Sequence, residues 1–389
     1  MMKIMQKDHV AAMINEKTGE VIIADESKLP LDIYLEETNE SDGRINNIIN
    51  FQSWCAGRVL SLDRENAKAI LNSCGLSQSN TDKDRCEVAK KYNCLSLNDY
   101  FWTQPEECNL KWDDINLYNN SLSKVVVDIS LIGKNLTVEN THLIAPEIST
   151  PGVFPKAWVR EHDGFYLYKG DKCDSVRKEV EASKILQKLG IPVLNYDYAK
   201  WDNVNTSKCK IFTSQDICYI SAEHYEYNSD IKKYTNTSEY YNLLLSTYLI
   251  GDSDKHWGNW GLLYNENGII GISPLMDFNH AFESIPESPS LTHKIFDIKS
   301  TTTQLEAALE ALEHVSYNKE VDLSEFHYGD FVKQRIKQLE IARETIENNK
   351  KPLRLMQSGQ FLRGVETAQN SVAELPTDSS HSKNTNKNR

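Results

Sequence analysis

The sequence predicts a mixed α/β (α+β) protein, and three patterns carry that expectation. Residues 156–160 and 165–169 read as two strands around the turn His162-Asp163-Gly164, and a helical pattern bearing Val180, Ile185, Leu186 and Leu189 follows over 176–190. Residues 238–250 place Tyr241, Leu244, Leu245, Tyr248 and Leu249 on one apolar stripe, as a helix packed on a core requires. Residues 260–264 and 269–272 then flank Asn265-Glu266-Asn267-Gly268, a hairpin signature.

The remaining elements follow in chain order. Residues 10–14 and 20–24 flank Glu16-Lys17-Thr18-Gly19 and predict a first hairpin. Residues 61–74 and 84–92 have helical composition, and Ser61-Leu62-Asp63-Arg64-Glu65 offers start signals for the first. Tyr100, Phe101, Trp102 and Trp112 form an aromatic group expected to pack a seam between domains. Ser149-Thr150-Pro151-Gly152 is a turn, and residues 217–220 predict another strand. Gly190 and Gly251 supply helix stops. Residues 305–314 and 331–348 predict late helices, and the polar stretch 376–389 predicts disorder. No internal repeat is visible.

Bulk properties exclude some functions. The length of 389 residues allows about two or three domains, each with a core. No apolar run reaches the roughly 20 residues of a membrane helix, and residues 1–10 lack the apolar centre of a signal peptide, so a cytoplasmic location is expected with no membrane partner. The net charge of −13 argues against broad nucleic-acid binding, yet it permits a nucleotide held by a few cations and Mg²⁺. Eight cysteines without any C-x-x-C read as free thiols, mostly buried. Cys86 and Cys94 have the wrong spacing for a zinc knuckle.

The chemistry concentrates in Asp252-Ser253-Asp254-Lys255-His256-Trp257-Gly258-Asn259 and Met276-Asp277-Phe278-Asn279-His280. Phosphoryl transfer needs a carboxylate to orient the attacking hydroxyl and oxygen ligands for Mg²⁺, and little covalent chemistry besides. Asp254 and Asn259, five positions apart on a loop behind a buried helix, can share a cavity with Asp277, 23 positions beyond Asp254. That is the spacing of a kinase catalytic loop and its D-F-G segment. Asp254 is then the base or orienter, with Asn259 and Asp277 as metal ligands. His256 could contact phosphate or pin the loop, and Asp252 reads as a loop-fixing residue. A metal-only hydrolase using Asp252, Asp254, His256 and Asp277 lacks a recognisable ligand pattern.

These D-x-H-x-x-N and D-F elements resemble the HipA-like serine/threonine kinases, and more distantly the phosphatidylinositol kinases; the resemblance spans residues 146–348. It implies a two-lobed protein-kinase-like fold behind a mixed N-terminal domain (1–142), with a small lobe over 143–225, a helical lobe over 226–350 and a disordered tail over 351–389. It also implies that Ser149, Gly152 and Lys156 belong to a phosphate loop, that Lys169 holds ATP phosphates, and that Glu179 holds Lys169, with Glu181 as its competitor. Glu223 and Tyr225 match the adenine-binding linker. Ser149 or Thr150 becomes a candidate autophosphorylation site. The implied cofactors are ATP and Mg²⁺, and the implied partners are a protein Ser/Thr acceptor and an antitoxin-like protein. A lipid or small-molecule kinase and a nucleotide-binding pseudokinase stand as alternatives. Asn279 in place of the D-F-G glycine and a phosphate loop with one glycine are departures from the pattern.

Overall fold

The computed structural model describes residues 1–76, 78–120, 123–134, 149–150, 153–225, 231–293 and 301–357. The chain divides into two compact units, Met1–Ile336 and Lys337–Arg389. Three antiparallel sheets, all in the first unit, organise the described residues.

The first sheet has the order β3-β2-β1-β4 and comprises β1 (Met2–Gln6), β2 (His9–Ile14), β3 (Val21–Ile23) and β4 (Phe101–Pro105). The predicted hairpin is β2–β3, with Ile14 paired to Val21. Helices α1 (Ser41–Gly57), α2 (Ala67–Ser73) and α3 (Asp82–Lys91) follow β3, and the short α4 (Trp112–Ile115) follows β4. The sequence reading contains no element at α1, because the helix has no clear apolar stripe. One of its buried positions is Asn47, whose Nδ2 donates to the carbonyls of Gly19 and Glu36 at 3.0 and 2.8 Å. A buried amide satisfied in this way looks like a surface residue in the sequence. The helix expected over residues 61–74 shrinks to α2. Asn66 takes a left-handed conformation (φ 64°), and the segment before it is a turn closed by Arg64 N donating to Ser61 O at 3.2 Å.

The aromatic group is divided between two roles. Phe101 and Trp102 are buried in β4, with Trp102 Nε1 donating to Lys7 O at 2.7 Å. Tyr100 packs edge-on to Tyr264 of the third sheet with ring centres 6.5 Å apart.

The second sheet has the order β5-β6-β8-β7, from β5 (Lys156–Glu161), β6 (Gly164–Gly170), β7 (Tyr196–Trp201) and β8 (Val204–Lys210). The β7–β8 hairpin was not anticipated. It turns through Asp202 and Asn203 at φ 45° and 67°, a left-handed pair that usually advertises itself with glycine. Alternation along these strands assigns the two faces of the sheet. Ala157 and Tyr168 join Val127 and Leu131 of helix α5 (Lys124–Ile132) in one core cluster. Lys156 and Lys169, directly paired across β5–β6, occupy the other face, where helix α6 (Ser175–Lys188) packs.

The third sheet, β11-β10-β9, joins β9 (Cys218–Ser221) to the predicted hairpin β10 (Gly261–Asn265) and β11 (Gly268–Ile272). A single helical turn, α7 (Ala222–Tyr225), leaves β9. Helix α8 (Ser238–Leu249) is capped by Thr237, whose side chain accepts from Tyr240 N, and it packs on α9 (Gln304–Ala311). The last helix, α10, runs Gly329–Gln357, so residues 351–357 are helical and not tail; Leu353, Arg354, Leu355 and Met356 are strong helix formers. The expected disorder over 376–389 lies outside the described residues. No described helix is long and apolar enough to cross a membrane. All eight cysteines are free, five of them buried.

Candidate active site

The site is built on the alternation of the second sheet. Lys156, Lys169 and Ser207 face each other across β5, β6 and β8, so their side chains rise from one face in a row. Helix α6 crosses that face and brings Glu179, 1 % exposed, onto the row. Glu179 forms a short ion pair through Oε1 with Lys169 Nζ and accepts from Ser207 Oγ through Oε2 at 2.6 Å. The competing Glu181 instead accepts from Tyr328 N at 3.0 Å. Both oxygens of Glu179 are thereby satisfied, which a buried carboxylate requires.

Lys169 Nζ is shared with Asp277 Oδ1 at 2.8 Å. Asp277 is held in a left-handed conformation (φ 60°), which an aspartate tolerates better than most residues but which still stores strain. Three contacts over-determine it. Its N–H donates to Tyr196 Oη at 3.3 Å, and the following Phe278 is fully buried against the Tyr196 ring. Lys255 Nζ donates to the carbonyls of Met276 and Asp277, both at 2.7 Å.

Lys255 is also what ties this strand end to the loop after α8. It is 2 % exposed, sits 3.0 Å from Asp252 Oδ2, and lies over the Phe278 ring. Asp252 is thus a buried loop-fixing residue, as expected, and its Oδ1 accepts from Asp254 N at 2.9 Å. Lys255 stands inside the informative stretch and carried no role in the sequence reading. Its i, i+3 spacing from Asp252 was the available signal.

Beyond Asp252 the loop turns sharply. His256 Nδ1 accepts from Gly258 N at 3.0 Å and caps a 3₁₀ turn over Trp257–Asn259. With Nδ1 accepting, the neutral ring carries its proton on Nε2, which lies 3.9 Å from Asp254 Oδ1. Asn259 Nδ2 donates to Asp254 O at 2.7 Å. A Cβ on Gly258 would stand 2.7 Å from the His256 ring and 3.0 Å from Glu223 Oε2. Gly258→Ala is therefore expected to displace both side chains and to lower any activity of the site about tenfold or more, with the melting temperature as the control for folding.

These residues surround one cavity of about 560 Å³, within the usual range for a small-molecule site. Ser149, Thr150, Lys156, Lys169, Glu223, Asp254, His256, Asn259 and Asp277 all line it. Glu179 stands behind Lys169. Tyr225 is buried elsewhere, because residues 222–225 form a helical turn in which positions two apart point in different directions. Gly152 lies outside the described residues. Missed contributions to the wall come from Ser96, Leu97 and Asn98, anchored by Thr213 Oγ1 donating to Leu97 O at 2.6 Å and Tyr219 N donating to Asn98 O at 2.7 Å.

The cations set the electrostatics. Burial pushes the Asp277 carboxyl up, but Lys169, Lys156 and Lys255 outweigh it and hold the group ionised well below the usual carboxylate range. For Lys169 burial works against the charge, and Asp277 and Glu179 restore it, so its pKa ends well above the ordinary value. Lys156 has no carboxylate within 4.0 Å among the described residues. Burial, assisted by Lys169 and Arg64 against the opposing pull of Asp277 and Glu179, lowers its pKa to about 8. A second cluster braces the rim, where Glu283 accepts from Lys178, from Ser253 Oγ at 2.8 Å and pairs with His280 Nδ1 at 3.0 Å. Burial opposes its ionisation, yet these partners lower its pKa to about 2.

No family model matches the sequence, and no curated protein matches it. Solved structures do. HipA of Shewanella oneidensis MR-1, from its complex with HipB and operator DNA, aligns over 88% of this chain and 99% of its own at 13% identity, with a TM-score of 0.51. The proinflammatory kinase CtkA of Helicobacter pylori covers 50% of this chain and 95% of its own at 16% identity, with a TM-score of 0.38. The HipA likeness, which covers 88% of this chain, is one of fold: the chain adopts a kinase-like α+β architecture.

Proposed function

We propose that the chain is an ATP- and Mg²⁺-dependent phosphotransferase, acting as a HipA-like serine/threonine protein kinase. The observation that carries this reading is Lys169, held between Glu179 and Asp277 on the wall of a cavity that Asp254 and Asn259 also line. In this reading residues 1–142 form the N-terminal domain, 143–225 the small lobe and 226–350 the helical lobe.

The donor set fits the two ligands. Asn259 spends its amide nitrogen on Asp254, which leaves its Oδ1 without a hydrogen-bond donor among the described residues. With the Asp277 carboxylate, this makes the hard-oxygen pair that Mg²⁺ takes from proteins. Lys169 and Lys156 would hold the triphosphate, and Glu223 would face the nucleoside end. When bound, Mg²⁺ neutralises charge on the phosphates. Asp254, half exposed on the cavity wall, orients the acceptor hydroxyl and receives its proton. Within the loop, Ser149 is more accessible than the buried Thr150 and is the preferred autophosphorylation site. An antitoxin-like protein partner belongs to the same reading, since the HipA neighbour was solved with HipB.

Incubation with γ-labelled ATP and Mg²⁺, followed by mass spectrometry, tests the proposal. Label at Ser149 or in an added protein supports it. Label confined to an added lipid or small molecule establishes the alternative kinase class, and no label anywhere defeats the phosphotransferase reading. Asp277→Asn should weaken Mg²⁺-dependent nucleotide binding at least about tenfold; unchanged affinity would remove Asp277 from the metal site.

Lys156 adds a pH signature. With a pKa of about 8, it is mostly charged at about pH 7 and mostly neutral by about pH 9. Affinity for a triphosphate should fall across that interval, and Lys156→Arg, charged throughout, should flatten the fall. Equal slopes in the two proteins would exclude Lys156 from phosphate binding.

A further inference from the structure

The second sheet does not hold its cavity edge alone. Arg64, 2 % exposed and far from this edge in sequence, reaches it from the turn before α2. Its Nη1 donates to Thr150 O at 3.2 Å, and its Nη2 donates to Lys156 O in a short contact. The next residue, Glu65, donates its N–H to Val153 O at 2.9 Å. Two consecutive residues thus bind three carbonyls of the backbone that presents Ser149, Thr150, Val153, Phe154 and Lys156 to the cavity.

The geometry points to Arg64 as a positioning residue for the nucleotide phosphates, supplied by the N-terminal region; this inference rests on the kinase reading above. Three further observations support it. First, the guanidinium is a planar fork, which can bridge two carbonyls in fixed geometry where an ammonium acts as one point charge. Second, the arm that carries it is anchored. Arg64 O accepts from Ala67 N at 3.1 Å, Asn66 Nδ2 donates to Ser130 O of α5 at 3.4 Å, and α5 shares its core with β5 and β6. Third, the same N-terminal region supplies Ser96, Leu97 and Asn98 to the cavity wall, so it borders the site at two separate places.

Arg64 does not itself line the cavity. It acts through the backbone, by fixing where Lys156 starts its climb across the sheet and where Phe154 meets the His280 ring, 5.7 Å between centres. A residue of this kind changes how tightly the phosphates are held and leaves the reacting groups, Asp254 and Asp277, in place. The effect therefore belongs in affinity and not in turnover at saturation.

The test measures binding of a fluorescent ATP analogue, and ATP-dependent labelling, in wild type, Arg64→Gln and Arg64→Lys of the full chain. Both variants are expected to bind the analogue about tenfold or more weakly, because neither side chain reproduces the charged planar fork that bridges the two carbonyls, and to raise KM for ATP while kcat stays within about threefold. Loss of folded protein alone would lower kcat and leave KM unchanged, so that pattern overturns the inference. So does wild-type affinity in both variants. Wild-type affinity in Arg64→Lys with weak binding in Arg64→Gln would show that charge, not the bridge, matters, and would also overturn it. Should Arg64→Gln fail to fold, Arg64→Lys decides. If wild type binds no nucleotide, the kinase reading itself falls; if it binds and the variants match it, only the role of Arg64 falls.

Discussion

Asp254→Ala is expected to lower phosphoryl transfer by about two to four orders of magnitude while ATP binding and the melting temperature stay close to wild type. The expectation comes from how the residue is held. Its side chain is about half exposed, 45 % by area, on the cavity wall, and its carboxylate anchors little: among the described residues it accepts from Asn259 Nδ2 at 3.5 Å and lies 3.9 Å from His256 Nε2. The loop is fixed instead through its backbone, by Asp254 N donating to Asp252 and by Asn259 donating to Asp254 O. Truncation therefore removes the proposed proton acceptor without orphaning a buried partner, and surface truncations of that kind usually shift stability by less than about 0.5 kcal/mol. Rate and affinity measured on the same preparation check the separation. Full activity in the variant would show that another group receives the proton.

Lys169→Met is expected to damage both stability and nucleotide affinity. Glu179 and Lys169 are buried together, and Asp277 shares the same ammonium. Removing one partner of a buried ion pair leaves its carboxylates without compensation, at a cost of about 3–5 kcal/mol. Nucleotide binding should be lost at concentrations that saturate wild type. Burial raises the Asp277 carboxyl, and Lys169 is the first of the three cations that hold it below the ordinary range, so the variant's Asp277 should also protonate at a higher pH. The sign follows from linkage. A carboxyl held below its unfolded pKa stabilises the fold above that value and loses the contribution as pH falls. In the variant this part of the acid sensitivity should disappear. Chemical denaturation of both proteins at neutral and acidic pH measures it; equal stabilities at neutral pH would mean that the Lys169 pair contributes nothing.

The parts of the site visible in the sequence are those assembled by short-range structure. Asp254, His256 and Asn259 share one loop whose position is set by the amphipathic α8, and Asp277 follows the hairpin β10–β11 that the Asn267-Gly268 turn announces. Lys169 and Glu179, ten residues apart, were paired by the family resemblance, and β6 and α6 bring their side chains together. Errors arose where local rules had competitors. Tyr225 was matched with Glu223 through the family resemblance, and the helical turn over Ala222–Tyr225 buries it away from the cavity. Helix α1 was missed because a satisfied Asn47 replaces an apolar residue on its buried face.

The mixed α/β class, the loop that carries Asp254 and Asn259, and the carboxylate of Asp277 beyond it were legible in the sequence, because periodicity, turn chemistry and motif spacing act within about 30 residues. What completes the cavity comes from contacts between distant segments. Arg64 meets Thr150 and Lys156 from 86 and 92 residues away, Ser207 joins Glu179 from β8, and Ser96, Leu97 and Asn98 close the cavity wall. Such contacts follow from which sheet face each strand residue occupies and which segments pack there, and no local pattern encodes them.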